Sequence, residues 1–431
     1  MARKGFKHKF LFIFYLRYLQ HGKYPTIKAL RPQPQLAKQV ASLPYDVLSS
    51  AEAKIEAQGN TYTFLHITKS EIDLSDKTDV HDKAVYLQAK DNLAAFIKRD
   101  VLFRESKDCY YIYQLIMNGR SQTGLVCVSS VDDYENDIIK KHEFTRPEKE
   151  LDRINHIKIA GAQTGNVFLA YRQNTNIDAL IDKWKLTKSS AYDFIAEDGI
   201  QHTIWIVSDS TVVGEITQLF KEEVPCTYIA DGHHRAASAA KVRADLGAKA
   251  TPAADYFLTT LFPSNQLYIM DYNRVVKDLN GLTVEQFLTA LNNSFEVILM
   301  GKQIYRPDKL HTIGLYIDAQ WYQLIAKEGS YTNDPIGVLD ISVLQEKVLG
   351  PILGIMDQRT DKRIDFIGGI RGLAALEQRV DSGEMAAAFS LYPVTIDQLF
   401  TIADSGNVMP PKSTWFEPKL RDGLLTNLIT D

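Results

Sequence analysis

The sequence predicts a mixed α/β (α+β) fold. Strand-like runs at Asn166 to Tyr171 and Thr203 to Val207 alternate with helical segments, which is typical of an α/β core. Asp79 to Arg99 carries apolar residues at helical spacing. Cys109 to Met117 and Thr123 to Ser130 are apolar runs that flank an Asn-Gly pair, the strongest short signal for a β-hairpin. Both element types are therefore expected.

Length and composition limit the class of protein. The 431 residues allow two or three domains of roughly 150 residues each. The net charge is −4, from 49 basic and 53 acidic residues, so nothing indicates a nucleic-acid partner, which usually meets a basic face. Cys109, Cys127 and Cys226 lie in or beside apolar runs, and we interpret them as reduced core thiols of a cytoplasmic protein. No apolar run approaches the ~20 residues of a membrane-spanning helix.

Three regions are predicted along the chain. Residues 1–24 are interpreted as a non-native or disordered leader, because basic residues precede a short apolar run that an arginine interrupts. Residues 25–280 are predicted to form an α/β domain that carries the KKHE and DGHHR motifs. Residues 281–431 are predicted to form a C-terminal α/β domain that contributes the GGIRG and PPKSTWF motifs. Within the first domain, Phe64 to Ile67 is predicted to be a strand, with His66 as a core histidine.

The stretch most suited to chemistry is Asp231-Gly232-His233-His234-Arg235. It follows a β-favouring run and precedes an alanine-rich segment with high helix propensity. A helix N-terminus presents unpaired N–H groups and a positive dipole end, which suits a phosphate. Arg235 adds a planar, permanently charged group, and Asp231 could hold Mg²⁺ or orient a hydroxyl. The structural alternative is a capped helix with Asp231 as its N-cap and the histidines on the surface.

A second cluster of charged residues runs from Lys140 to Arg153. A charge run is usually a solvated face, but Lys141, His142 and Glu143 precede the expected helix in a constrained loop. A carboxylate beside cations can both activate a hydroxyl and neutralise a phosphate. Upstream, Asp46 follows a proline-defined turn, where it is either functional or part of a structural turn before a helix capped by a serine.

Two weaker candidates lie in the C-terminal region. Arg371 follows Gly368-Gly369 after a predicted strand, which is compatible with a second phosphate site and equally with a simple turn. Lys412 lies in the proline-fixed PPKSTWF segment, where a docked tail is the structural alternative.

Several of these motifs resemble known families. Gly-His-His-Arg after an apolar strand resembles the phosphate-binding turn of the ParB/sulfiredoxin superfamily, and within it the Asp-Gly-His-x-Arg form of the free serine kinases. Longer stretches are similar to the domain-of-unknown-function family 1015. These stretches are KALRP (Lys28 to Pro32), SLPYDV (Ser42 to Val47), FLHITKSEIDL (Phe64 to Leu74), MNGRSQTGL (Met117 to Leu125), KKHEFTRPEKELDR (Lys140 to Arg153), DYNRVVKDLNG (Asp271 to Gly281), FIGGIRGL (Phe366 to Leu373) and MPPKSTWFEPKLRDGL (Met409 to Leu424).

The resemblance implies a ParB/sulfiredoxin-like core with additional α/β elements and a serine kinase-like phosphotransferase. Its reaction would be phosphorylation of serine, or the reverse on phosphoserine, with ATP, ADP or pyrophosphate and with Mg²⁺. In this interpretation the phosphate ligands are Gly232, His233, His234 and Arg235 of the turn, with Lys141, His142 and Arg371 added on chemical grounds. The catalytic residues are Asp231, His234 and Glu143, Asp231 also holds the metal, and Asp46 and Lys412 contact substrate.

One carboxylate must act as the base in this mechanism. The serine kinases use a glutamate upstream of their turn, and Glu143 is chosen on chemical grounds, with Asp46 in reserve. The alternative function is a ParB-like, nucleotide-responsive nucleic-acid-binding protein, which the mild acidity disfavours. Sulfiredoxin chemistry is excluded because His233 stands where its cysteine would be. A metal-dependent hydrolase that uses His233 and His234 is a weak hypothesis, because the two histidines are adjacent and no third metal ligand is clear.

Overall fold

The computed structural model describes residues 22–430, so the predicted leader lies almost entirely outside the described chain. These residues form two compact units. The first comprises residues 22–141, 145–267 and 418–430, and the second comprises residues 142–144 and 268–417. Helices and strands occur in both units, which confirms the predicted mixed α/β class. Within residues 22–430, no helix is both long and apolar enough to cross a membrane.

The first unit contains most of the secondary structure. Its strands are β1 (Leu30–Pro32), β2 (Leu102–Arg104), β3 (Tyr110–Met117), β4 (Arg120–Ser130), β5 (Ile139–Lys140), β6 (Ala162–Gln163), β7 (Val167–Tyr171), β8 (Tyr192–Ile195), β9 (Gln201–Val207), β10 (Thr227–Asp231) and β11 (Tyr256–Pro263). Its helices are α1 (Ala37–Val40), α2 (Ser50–Glu56), α3 (Leu65–Thr68), α4 (Lys83–Lys98), α5 (Val131–Glu135), α6 (Pro147–Ala160), α7 (Thr175–Thr187), α8 (Ser210–Glu223) and α9 (His233–Leu246).

An eight-stranded mixed sheet organises this unit, in the order β5-β10-β7-β11-β4-β3-β9-β8. The predicted hairpin forms its β3–β4 pair, which is antiparallel. Its turn uses Asn118 and Gly119, both with positive φ, as a tight two-residue hairpin loop requires. Apolar side chains of α7, α8 and α9 share one core cluster with those of the sheet strands. Strand β10, which carries Asp231 at its end, therefore lies inside a packed sheet.

The C-terminal segment Pro418–Thr430 belongs to this first unit. Its short strand β20 (Asn427–Leu428) pairs antiparallel with β6. Ser42 and Asp422 exchange both backbone hydrogen bonds, at 3.1 and 2.9 Å. Arg421 forms an ion pair with Asp198, and its Nε lies 3.3 Å from the buried His202 ring. These bonds fix the last residues of the chain to the first unit.

The second unit is built around a separate six-stranded sheet. The order of that sheet is β14-β16-β15-β18-β13-β17, and a two-stranded ribbon joins β12 to β19. Strands here are β12 (Ile269–Met270), β13 (Tyr272–Val276), β14 (Phe295–Gly301), β15 (Thr312–Ile317), β16 (Gln320–Ala326), β17 (Ile364–Gly368), β18 (Ala387–Ser390) and β19 (Trp415–Phe416). Helices are α10 (Val284–Leu291), α11 (Asp340–Leu344), α12 (Ala374–Asp381) and α13 (Ile396–Asp404), and a π-helical turn spans Gln345–Leu349.

Two local predictions were wrong. Phe64 to Ile67 is not a strand, because Leu65–Thr68 forms helix α3. A short apolar run cannot be assigned from periodicity alone, and here the run packs in a small core with Phe96 of α4. Cys226 is not a core thiol but partly exposed, whereas Cys109 and Cys127 are buried.

Substitution of Gly423 tests whether the C-terminal segment is part of the core. Gly423 has a φ of 88°, and a Cβ built there would lie 2.6 Å from Cβ of the buried Phe64. Left-handed strain costs roughly 1–2 kcal/mol, and overpacking typically adds about 1–3 kcal/mol. We therefore expect Gly423→Ala to lower the free energy of unfolding by about 2–4 kcal/mol in denaturant titrations.

Gly199→Ala is the matched control for this substitution. Gly199 has a φ of 80°, with nothing within 4 Å of the added Cβ, so this variant reports the backbone strain alone. Equal losses of stability in the two variants would show that residue 423 does not pack against the core.

Candidate anion-binding site

The DGHHR stretch lies where strand β10 passes into helix α9. Gly232 is the N-cap residue of α9 and has a φ of 99°, a left-handed conformation that favours glycine. A Cβ at this position would lie 3.3 Å from the Arg235 guanidinium carbon and 3.3 Å from Cα of Val167. Only glycine therefore allows the strand to turn into the helix this closely.

The capping alternative for Asp231 is wrong. Asp231 is the last residue of β10, one position before the N-cap, and Gly232 offers no side chain to the first turn of α9. This 14-residue helix thus begins at a glycine, and its N-terminus carries the positive end of the helix dipole, which favours an anion.

Asp231 is held as a carboxylate by two cations. Its Oδ2 accepts a hydrogen bond from Lys419 Nζ at 3.0 Å, and its Oδ1 lies 3.5 Å from Arg235 NH2. Burial by itself raises the pKa of Asp231, but Lys419 and Arg235 outweigh it and hold the pKa well below its usual range. The Asp231 side chain remains 29% exposed, so its charge can still meet a ligand.

Arg235 is an internal counter-ion of this site. Its side chain is 8% exposed, and NH2 lies 3.5 Å from Oδ2 of Asp46 as well as 3.5 Å from Asp231. Its NH1 donates to the backbone oxygen of Asn166. Burial by itself lowers the pKa of Arg235, yet the two carboxylates raise it. The structure thus brings the predicted Asp46, Asp231 and Arg235 together across 189 residues of sequence.

His233 and His234 occupy different environments. His233 is buried, with 5% of its surface exposed. His234 Nε2 accepts a hydrogen bond from the backbone N–H of Arg146 at 2.9 Å, and Arg146 is the N-cap of α6. That bond assigns the ring proton to Nδ1 if the imidazole is neutral. It also draws the N-termini of α6 and α9 together, so that two positive dipole ends lie close to each other.

Lys419 was missed by the sequence reasoning. It lies in the C-terminal segment, 188 residues from Asp231, in a stretch without helical or strand periodicity. Its side chain is 14% exposed and directed at Asp231. The only signal was its place in the long PPKSTWFEPKLRDGL stretch, which does not indicate a partner.

Lys141 lies in the first unit, beside Tyr134. Its ammonium donates to the backbone oxygen of Tyr134 at 2.7 Å and lies 4.5 Å from the centroid of that ring. The ammonium of Lys141 also forms an ion pair with Asp137, at 3.8 Å. Its assignment as a phosphate ligand stays a prediction.

The remaining predicted residues belong to the second unit. The backbone oxygen of His142 accepts a hydrogen bond from Met409 N–H at 2.8 Å, which ties the KKHE loop to the start of the PPKSTWF segment. Glu143 is partly buried and lines a cleft with residues 408–411. Lys412 is exposed and has a φ of 57°. The structure therefore groups His142 and Glu143 with the PPKSTWF segment.

Arg371 does not lie in the first turn of a helix. It ends a 3₁₀ turn, is exposed, and precedes α12 by three positions. The two glycines before it allow close packing, since a Cβ on Gly368 would lie 2.8 Å from the Trp415 ring and one on Gly369 would lie 2.5 Å from the Asp271 carboxylate. Close packing therefore explains both glycines, and no bound ligand is needed to explain them.

A small cavity lies behind the Asp231 turn. It has a volume of about 20 Å³, enough for about one water molecule, and Tyr45, Arg153 and Arg235 line it. The Arg153 guanidinium lies 3.8 Å from the centroid of the Tyr45 ring. This space is too small for a substrate, so a ligand must approach from the side on which Asp231 and Asp46 are exposed.

The buried Asp422 gives this cluster a testable pH dependence. Burial raises the pKa of Asp422 to about 7, against about 3.9 for an unfolded chain, so the native state holds a proton that the unfolded state releases between these values. The free energy of unfolding should therefore fall as the pH rises from about 4 to 7, by an amount on the order of 1–3 kcal/mol.

The substitution Asp422→Asn imitates the protonated carboxyl group. We expect it to remove this part of the pH dependence in denaturant titrations at several pH values, and to be at least as stable as the wild type above neutrality. Burial also raises the pKa of Asp340 to about 7. Its effect on the free energy of unfolding is the same in both proteins, so it cancels when the two pH profiles are subtracted. Parallel pH profiles for the two proteins would contradict the assignment.

Comparison with solved structures finds distant similarities. A conserved hypothetical protein from Pyrococcus furiosus has 15% sequence identity and a TM-score of 0.37, covering 71% of this chain and 95% of that one. A free serine kinase in complex with AMP has 13% identity and a TM-score of 0.34, covering 68% and 86%. SbnI with a C-terminal truncation, from Staphylococcus aureus, has 11% identity and a TM-score of 0.38, covering 70% and 86%.

The comparison by sequence is more direct. No curated protein matches the chain. The family model described as "Protein of unknown function (DUF1015)" matches residues 25–342, which is well over half of the sequence and confirms the resemblance drawn from the motifs. The chain belongs to the DUF1015 family.

Proposed function

We propose that this protein is a small-molecule phosphotransferase that binds the phosphate groups of a nucleotide or of pyrophosphate at the Asp231–Arg235 turn. The observation that carries the proposal is the ionised Asp231 at the N-terminus of α9, with Lys419 Nζ at 3.0 Å. A carboxylate, a lysine and helical N–H groups at one point are what phosphoryl transfer needs for positioning and for charge stabilisation.

The charges of the site support an anionic ligand. Lys419 and Arg235 balance Asp231 and Asp46, and Asp422 is protonated below a pH of about 7. The side-chain charges therefore sum to zero. The N-termini of α6 and α9 add two positive dipole ends to them. A phosphate group entering beside them meets a net positive potential without having to displace a carboxylate.

Mg²⁺ fits the donor atoms of this site. Asp231 and Asp46 supply carboxylate oxygens, the hard ligands that Mg²⁺ prefers, and both side chains are partly exposed, at 29% and 42%. When bound, the ion would neutralise part of the phosphate charge. Asp231 would hold it, and Lys419 would then be directed at the phosphate rather than at Asp231.

In the proposed reaction the hydroxyl oxygen of the acceptor bonds to phosphorus while the bond to the leaving phosphate oxygen breaks. The hydroxyl proton goes to a carboxylate base. Asp46 is the candidate base in the first unit, and Glu143, in the second unit, stays a candidate on chemical grounds. Serine or phosphoserine as the substrate follows from the resemblance of the DGHHR turn to the free serine kinases.

Substitution at the central ion pair tests this proposal. The assay is a ³¹P NMR screen of the purified protein with ATP, ADP or pyrophosphate against free amino acids and their phosphates. We expect Asp231→Asn and Lys419→Met each to lower the rate of the observed transfer by ~10²-fold or more, since each removes a charge at the reacting centre.

The control variant is Asp245→Asn. It removes an exposed ion pair with Lys158, at 3.1 Å, from the other end of the same helix α9. Its rate should equal that of the wild type, and circular dichroism at the assay temperature must show that all variants are folded. Folded, fully active Asp231→Asn and Lys419→Met proteins would disprove the proposed role of this turn.

A further inference from the structure

The second unit contains a cleft of its own, whose lining includes Glu143. The cleft has a volume of about 450 Å³, which falls in the range of small-molecule binding sites. It is lined by the loop of Glu143 and Phe144, the turn from Met356 to Arg359, residues 408–411, and the single residues Ile336 and Gln345. All of these belong to the second unit.

Large apolar side chains are exposed at this cleft. Phe144 is 67% exposed and Met356 is 78% exposed, and both line it together with Pro410 and Pro411. An aromatic ring and a thioether are normally buried, and their joint exposure at a concave surface is typical of a site that stacks on a flat apolar ligand. The proline rings add a wall with little conformational freedom.

The polar part of the cleft is held in place by a chain of hydrogen bonds. The chain starts at the buried Arg274, whose Nε donates to Gln358 Oε1 at 3.3 Å. Gln358 Nε2 in turn donates to Gln345 Oε1 at 2.8 Å. Gln345 Nε2 then donates to the backbone oxygen of Ile355 at 2.9 Å. Arg274 NH2 also donates to the backbone oxygens of Pro411 and Lys412, at 3.0 and 2.9 Å. The orientation of both amides is therefore fixed.

Each amide keeps hydrogen-bonding capacity for a ligand. A glutamine amide has two donor hydrogens and two acceptor lone pairs, and within the described chain Gln345 and Gln358 each use one donor and one acceptor. One donor and one acceptor remain on each. Gln345 also begins the π-helical turn Gln345–Leu349, a distortion that is frequent at functional sites.

The cation that lines the cleft is already paired. Arg359 forms an ion pair with Asp357 at 2.8 Å, so its charge is compensated. An anionic ligand would therefore have to compete with Asp357 for this cation. A neutral ring that carries N–H groups is compatible with the lining without such competition.

We propose that this cleft binds the nucleobase of a nucleoside, stacked on Phe144 and read by the Gln345 and Gln358 amides. The inference does not depend on the phosphotransferase proposal, because its contacts involve no phosphate group.

Isothermal titration of the full-length protein with adenosine tests the inference, since adenosine carries no phosphate. We expect binding by the wild type, no binding of ribose, and a loss of affinity of about tenfold or more in Phe144→Ala, because base–aromatic stacking is worth about that much. Gln358→Leu should weaken adenosine binding as well, because it breaks the amide chain.

Leu299→Ala is the matched control for the loss of exposed apolar surface. Leu299 lies in the same unit, is 61% exposed and does not line the cleft, so this variant should bind adenosine like the wild type. Failure of adenosine, guanosine and uridine to bind at millimolar concentration would overturn the inference, as would equal affinities in Phe144→Ala and the wild type. Neither result bears on phosphoryl transfer from pyrophosphate.

Discussion

A carboxylate at the end of a buried strand costs free energy unless cations compensate it, and the first unit is arranged to provide them at Asp231. Lys419 and Arg235 face its two oxygens, and Asp46 shares the Arg235 charge. Glycine at position 232 is required because any larger residue would meet Arg235. The turn, the helix start and the C-terminal segment each contribute a residue to this ion group.

The C-terminal segment supplies two residues of the candidate site. Because Lys419 and Asp422 come from the last residues of the described chain, the candidate anion-binding site is complete only after that segment has joined the first unit. The bonds of Arg421 to Asp198 and His202 hold the segment at a point between Lys419 and Asp422. Stability and the proposed chemistry therefore depend on the same stretch of sequence.

Local signals in the sequence predicted local structure well. The hairpin at Asn118-Gly119 and the strand-to-helix turn at Gly232 depend on residues adjacent in sequence, so both could be read directly. The strand predicted at Phe64 to Ile67 failed because tertiary packing decides short apolar runs. The pairing of Asp231 with Lys419 could not be predicted, since no periodicity links residues 188 positions apart.

The central claim is that the turn from Asp231 to His234 holds a phosphate group. A crystal structure of the protein with pyrophosphate and Mg²⁺ tests it most directly. The account predicts phosphate oxygens about 3 Å from the first-turn N–H groups of α9 and from Lys419 Nζ, the usual distance of a charge-assisted hydrogen bond. Pyrophosphate bound elsewhere, with Lys419 still paired to Asp231 and no density at this turn, would contradict it.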